Sequence, residues 1–239
     1  SDIEDAKKVA LKHDFNHLVL DYQDKFFDGV INNFIDSYTN GETPLPCVKC
    51  NQTVKFSDLL GEAKKIGADA LVTGHYAIRK GNLNNASLHK AKDFTKDQSF
   101  FLFATLQEQL NYVRFPLGDF KKSEIRNLAE NYKLDVSDKP DSQDICFVTS
   151  DSYRDLVKNL NPTVNKKGII YDIDNNILGT HNGISNYTIG QRKGTGVSGS
   201  EEALYVIEIN KQENSITLGT KEKLKKNVII FKNINWLGG

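Results

Sequence analysis

The stretch Gly67-Ala68-Asp69-Ala70-Leu71-Val72-Thr73-Gly74-His75-Tyr76 reads as a tight turn, a short buried strand and a glycine-bearing exit. Directly before it, residues 56–66 carry apolar side chains at helical spacing. The same alternation runs upstream. Residues 2–13 are predicted helical, with Ser1 as cap and Ile3, Ala6, Val9 and Ala10 as an apolar stripe. His17-Leu18-Val19-Leu20-Asp21 reads as a buried strand ending in an acid, and residues 24–39 as a helix through Phe26, Phe27, Val30, Phe34 and Ile35. Gly41 to Asn51 is predicted to be a loop opened by Pro44 and Pro46. Helix alternating with strand predicts an α/β domain with a parallel sheet. Such sheets bind ligands at the carboxyl ends of their strands. Gly74 then stands where a ligand can approach the backbone, although a plain strand-end glycine reads the same way.

Downstream, Lys96-Asp97 introduces a predicted helix from Gln98 to Gln109. Phe115-Pro116-Leu117-Gly118 is a turn, and Lys121 to Tyr132 an amphipathic helix capped near Ser123. From about residue 163 the texture changes to short β-rich runs separated by Asn, Asp and Gly. They are Gly168-Ile169-Ile170-Tyr171, Ala203-Leu204-Tyr205-Val206-Ile207 and Ser215-Ile216-Thr217-Leu218. A further run begins at Val228-Ile229-Ile230-Phe231. The expected division is an incomplete α/β domain over 1–150, a mostly β domain over 151–222 and the start of a third unit over 223–239.

Acidic and basic residues balance at 31 each, so no global field advertises a nucleic-acid partner, although a local basic groove remains compatible. No apolar run reaches membrane-spanning length, and no signal peptide is visible. The chain has no methionine, even at position 1, so it is expected to be a fragment or to have its methionines unrepresented.

Its three cysteines sit among loop-forming and polar residues, in Pro44-Leu45-Pro46-Cys47-Val48-Lys49-Cys50-Asn51 and Asp141-Ser142-Gln143-Asp144-Ile145-Cys146-Phe147. An odd number of cysteines without an export signal fits a reducing cytoplasm. Displayed thiols serve metal binding or sulfur chemistry. Three readings stay open: a metal or iron–sulfur site, a nucleophile and resolving pair, or three unrelated thiols. Structural zinc fits least, because no fourth ligand stands at finger-like spacing.

Six motifs taken in order closely resemble the tRNA-specific 2-thiouridylases (the MnmA/TrmU family). They are the proline-flanked Cys47-Val48-Lys49-Cys50-Asn51, Thr73-Gly74-His75-Tyr76, Lys96-Asp97-Gln98-Ser99-Phe100, Phe115-Pro116-Leu117-Gly118, Asp141 to Phe147, and Gly183 to Gly194. The resemblance covers Ile3 to about Trp236. It implies a fold of PP-loop type (adenine-nucleotide alpha-hydrolase-like), then a mostly β central domain and the start of a C-terminal β-barrel. It implies a sulfurtransferase that replaces the 2-oxygen of the wobble uridine of tRNA by sulfur. ATP, with Mg2+, adenylates the uridine, a cysteine persulfide delivers sulfur, and disulfide formation releases the product. Cys146 matches the persulfide carrier and Cys50 the nucleophile. Lys49 is placed to favour a thiolate at Cys50, or is a solvated loop charge.

The resemblance further implies that Gly74 contacts ATP and that Lys96, Asp97 and Gln98 contact tRNA. Leu45, Pro46 and Cys47 belong to the segment facing the target base, with Leu45 where the family commonly has asparagine. Gln191-Arg192-Lys193 is a basic turn suited to phosphates, or a solvated β-turn. Cys47 stands where other members carry Asp, as an acid/base group. As a cysteine it permits a second chemistry, a [4Fe-4S] cluster on Cys47, Cys50 and Cys146. The implied partners are tRNA and a sulfur-donor protein, a desulfurase or a relay. One departure is large: the family's Ser-Gly-Gly-x-Asp-Ser loop is absent from this chain, which alone is therefore expected not to adenylate. The rival readings are an ATP-pyrophosphatase relative acting on another nucleobase and a non-catalytic tRNA-binding module.

Overall fold

The computed structural model describes residues 2–134, 145–148, 153–199 and 202–237. Expectations for Ser1 and for most of the segment before Cys146 lie outside them. The chain forms two compact units, one of residues 1–29, 47–143 and 235–239, the other of 30–46 and 144–234.

Helix α1 (Asp2–Lys12) opens the first unit with Asp2, Glu4 and Asp5 in its first turn, where carboxylates suit the positive helix end. Residues 17–21 do not form the expected strand: Leu18 and Val19 are 65% and 56% exposed. A strand needs a neighbour to take its backbone groups, and no described strand lies beside this one. Helix α2 (Gln23–Phe26) winds through a π-helical stretch (Phe27–Ile31) into α3 (Asn32–Thr39).

The predicted loop over 41–51 ends early. Helix α4 (Pro46–Cys50) continues through a second π-helical stretch (Asn51–Leu59) into α5 (Leu60–Lys65). Pro46 occupies the first helical position, where a missing N–H costs nothing and its fixed φ helps.

Strand β1 (Leu71–Val72) is short, and Val72 is exposed rather than buried. The sequence did not signal the hairpin that follows, β2 (Ala77–Lys80) against β3 (Ser87–Lys90). The Arg79 guanidinium ties this hairpin down by donating to the carbonyls of Leu110, Gly81, Asn82 and Asn111. The expected helix over 98–109 splits into a 3-10 turn (Ser99–Leu102) and α6 (Gln107–Tyr112). Strand β4 (Val113–Arg114) then pairs parallel with β1, which gives a parallel sheet of two strands among the described residues. Phe56, Leu60, Ala77, Leu102, Leu110, Val113 and Phe115 pack between these elements. Helix α7 (Lys122–Asn131) is capped at Lys121, not near Ser123: the Glu124 carboxylate accepts the Lys121 N–H at 2.6 Å.

In the second unit, α8 (Tyr153–Leu160) packs Val157 against Phe34 and Tyr38 of α3, with Tyr38 stacked on Tyr153 at 4.7 Å. Burial and the neighbouring Tyr153 raise the Tyr38 phenol far above its ordinary range. Four strands follow: β5 (Gly168–Tyr171), β6 (Ile177–His181), β7 (Tyr205–Asn210) and β8 (Ser215–Gly219). They lie in the order β6-β5-β8-β7, with β5 and β8 parallel and the outer pairs antiparallel. Ile170, Val206, Ile216 and Leu218 fill their buried face with Ile184 and Tyr187. The run Val228–Phe231 carries no described strand, and its four side chains are 71–80% exposed.

Candidate active site

Helix α4 places Cys47 and Cys50 three residues apart, hence on one helical face. Cys47 is exposed and Cys50 half-buried. The face is anchored on either side by Val48 and Asn51, which are buried. The Asn51 amide donates to the Phe101 carbonyl at 3.0 Å, fixing the helix to the 3-10 turn. Its Oδ1 is buried with no hydrogen-bond partner among the described residues. The Lys49 ammonium donates to the Gln52 side chain at 3.4 Å.

At the carboxyl end of β1, Gly74 is exposed. A Cβ built on it would meet only Leu117, at an ordinary 3.8 Å. The fold does not itself require glycine here, so the space in front of Gly74 is open to a ligand. On either side, Thr73 Oγ1 and His75 Nδ1 are hydrogen-bonded at 2.9 Å. The imidazole meets the Phe56 and Phe115 rings at 6.0 Å each. Burial, with Lys55 adding repulsion, pushes its pKa down to about 4. His75 is therefore neutral at pH 7, a hydrogen-bonding group rather than a cation.

Lys96, Asp97 and Gln98 lie beside this strand end. Gln98 exchanges two hydrogen bonds with the backbone of Tyr76: its Oε1 accepts the Tyr76 N–H at 2.9 Å, and its own N–H donates to the Tyr76 carbonyl at 2.8 Å. Asp97 accepts the Ala91 N–H at 2.8 Å and the Ser99 hydroxyl at 2.8 Å. Both side chains thus hold the local fold, and Lys96 is half-buried beside them.

Cys146 sits in the second unit, in the turn closed by the Val148 N–H on the Ile145 carbonyl at 3.0 Å. Ile145 and Phe147 turn into the cluster of Phe34, Tyr38 and Val157, which leaves Cys146 exposed between them. Leu45 and Pro46 also belong to the second unit, the first exposed and the second buried. Gln191 organises its turn, accepting the Thr188 N–H at 3.1 Å and donating to the Lys193 carbonyl at 3.0 Å. Arg192 and Lys193 are exposed.

No disulfide joins the three cysteines. Among the described residues, no three His, Cys, Asp or Glu side chains gather closely enough to hold a metal ion. Cys47 and Cys50 belong to the first unit and Cys146 to the second. Sequence reasoning passed over Asn51, whose signal was its place directly after the Cys-x-x-Cys, and the coupling of His75 to Thr73, which no local pattern reveals. No helix among the described residues is long and apolar enough to cross a membrane.

A family model described as tRNA methyl transferase HUP domain matches residues 1–150, and one described as tRNA methyl transferase PRC-barrel domain matches residues 155–220. The tRNA-specific 2-thiouridylase MnmA of Orientia tsutsugamushi (strain Boryong) is 54% identical over 237 residues, covering 99% of this chain and 64% of that protein. The protein of the same name from Ehrlichia canis (strain Jake) is 52% identical, with the same coverages of 99% and 64%. That from Rickettsia prowazekii (strain Madrid E) is 51% identical over 236 residues, covering 99% of this chain and 66% of its own length. The chain thus spans about two thirds of the length of these relatives, 64–66%.

Proposed function

Because this chain belongs to the family of the tRNA-specific 2-thiouridylases, a HUP domain followed by a PRC-barrel domain, we propose that the protein exchanges the 2-oxygen of the wobble uridine of tRNA for sulfur. The observation that carries the reading is the display of two thiols: Cys50 on an anchored helical face, Cys146 held outward by two buried neighbours. Binding tRNA alone needs neither.

In this proposal the uridine O2 displaces pyrophosphate from the α-phosphorus of ATP. The outer sulfur of a persulfide on Cys146 forms the bond to C2. The Cys50 thiolate then attacks Cys146 Sγ, breaking the S–S bond and leaving sulfur on the base, while the former O2 departs with AMP. The two cysteines end as a disulfide, which a dithiol reductant reopens. A sulfur-donor protein reloads Cys146. The open face of Gly74 supports a place for the nucleotide at the end of β1, because the protein leaves that side of the backbone uncovered. Mg2+ would accompany the triphosphate. Neutral His75 supplies a hydrogen bond beside it without charge. Lys96, Arg192, Lys193 and the segment Leu45-Pro46-Cys47 are proposed to meet the tRNA. Gln98 would do so through its amide nitrogen, since its oxygen is used by Tyr76. A cytoplasmic site of action belongs to the same proposal.

The test is thiolation of a tRNA transcript by the full-length protein, its Cys50→Ser and Cys146→Ser variants and a persulfide donor. Each variant should lose thiolation and keep tRNA binding. Sustained turnover by Cys146→Ser would overturn the persulfide role.

A further inference from the structure

The second unit holds a polar cavity that the proposed chemistry leaves unused. It measures about 430 Å3, within the ordinary range of ligand sites at roughly 300–1,000 Å3. Arg154, Asp155 and Lys158 project into its lining from α8, and Gly194 and Gly196 line it from the loop after the basic turn.

His181 lies in the wall and is 2% exposed. Its Nδ1 accepts the Gly183 N–H at 3.0 Å, so the ring proton is on Nε2, which donates to the Asn214 carbonyl at 3.0 Å. Burial holds its pKa below the ordinary value. The imidazole is therefore a neutral wall, and the charged side chains among the described lining residues are Arg154, Lys158 and Asp155.

The loop adds donors. Gly194 and Gly196 sit at φ +72° and +80°, in the left-handed region. The N–H groups of Gly194, Thr195 and Gly196 meet no acceptor among the described residues. A Cβ at Gly196 would touch nothing within 4 Å, so the backbone conformation and not packing asks for glycine. Unspent N–H groups on a left-handed turn make a concavity suited to an anion.

We propose that this cavity holds one ribonucleotide of an RNA backbone. Its phosphate lies between Arg154, Lys158 and the glycine-loop N–H groups, and a ribose hydroxyl donates to Asp155. A carboxylate only accepts, so it repels phosphate and selects a hydroxyl, which fixes the polarity of the strand in the site. The inference rests on the reading of the protein as acting on tRNA. A free ribonucleotide carries the same ribose phosphate chemistry, and the test separates the two sources.

Affinity of the full-length protein for a tRNA transcript is measured against salt for wild type, the Arg154→Ala/Lys158→Ala double variant, Lys158→Gln and Asp155→Asn. The Lys158→Gln side chain removes the charge and stays polar, so it reads the site even where loss of Arg154 disturbs Tyr153, over whose ring Arg154 lies at 5.8 Å. The double variant should bind about 10- to 100-fold more weakly and lower the slope of log affinity against log salt by roughly 0.7–0.9. Lys158→Gln should move both in the same direction. Asp155→Asn should narrow the preference for RNA over a DNA strand of the same sequence. Calorimetry with AMP forms the second arm. AMP binding that the double variant abolishes while tRNA binding is untouched would assign the cavity to a free nucleotide and overturn the inference. Wild-type tRNA binding with an unchanged salt slope in both cation variants would overturn it alone. Wild-type protein that does not bind tRNA would overturn the reading beneath it.

Discussion

Lowering the pH should destabilise the first unit through His75. Its imidazole packs against Phe56 and Phe115 and its pKa lies at about 4, against an ordinary 6.5. Burial is the larger cause and the charge of Lys55 the smaller. The unfolded chain takes up this proton as pH falls through about 6.5, while the folded chain resists until about 4. Stability from the neutral ring is thus complete above the unfolded value and drains away between the two. Linkage gives a loss of about 2 kcal/mol at pH 5 and about 3 kcal/mol at pH 4. That is a large part of the 5–15 kcal/mol or so that holds a domain together. The assay is urea unfolding at about pH 8, 6 and 5, followed by a probe in the first unit, on wild type and His75→Gln. Glutamine keeps a partner for Thr73 and does not titrate. His181, whose pKa is also lowered by burial, is common to both proteins and cancels in the difference. Wild type should lose about 2 kcal/mol more than the variant between neutrality and pH 5. An NMR titration should place the His75 midpoint near 4. Equal acid slopes in the two proteins, or an imidazole titrating near 6.5, would refute the reasoning.

Three further outcomes are expected. Gly74→Val should weaken ATP binding by the full-length protein about tenfold or more while leaving tRNA affinity and thermal midpoint nearly unchanged, since its Cβ meets only Leu117; an equal loss of both affinities would remove Gly74 from the nucleotide site. Gly168→Ala should destabilise the second unit by about 2–4 kcal/mol, read as a lowered urea midpoint, because a Cβ there overlaps the Asn214 carbonyl and lies 2.5 Å from His181 Nε2. Cys47→Ala should reduce thiolation without changing metal content, measured by elemental analysis of protein purified without oxygen; joint loss of iron and activity would favour a cluster.

The helical stripe over 2–13, the strands at 168–171 and 215–218 and the passage from α/β texture to β texture were all legible in the chain. They rest on periodicity, which is written in neighbouring residues. The display of the thiols was legible for a similar reason: loop-forming and polar neighbours at Cys47 and Cys146 offer no apolar run in which to hide them. Where the sequence misled, the deciding partner was remote. His17–Asp21 has a strand's composition and no strand among the described residues to pair with. Pro46 reads as a loop former and proves to be a helix opener, because proline suits both and only the following turn distinguishes them.

The site shows the same division more sharply. Residue types and order determined which groups are proposed to carry the chemistry: the thiols, the strand-end glycine, the basic turn. Tertiary structure alone decided how much of each group remains available. Asp97 and the oxygen of Gln98 are taken up by Ala91, Ser99 and Tyr76, and Gln191 by its own turn. It also decided that Val30–Pro46 belongs with the second unit and that Arg154, Lys158 and Gly196 line one cavity. Hydrogen bonds and cavities join groups tens of residues apart in the chain, and a pattern confined to one segment carries no record of a partner supplied by another.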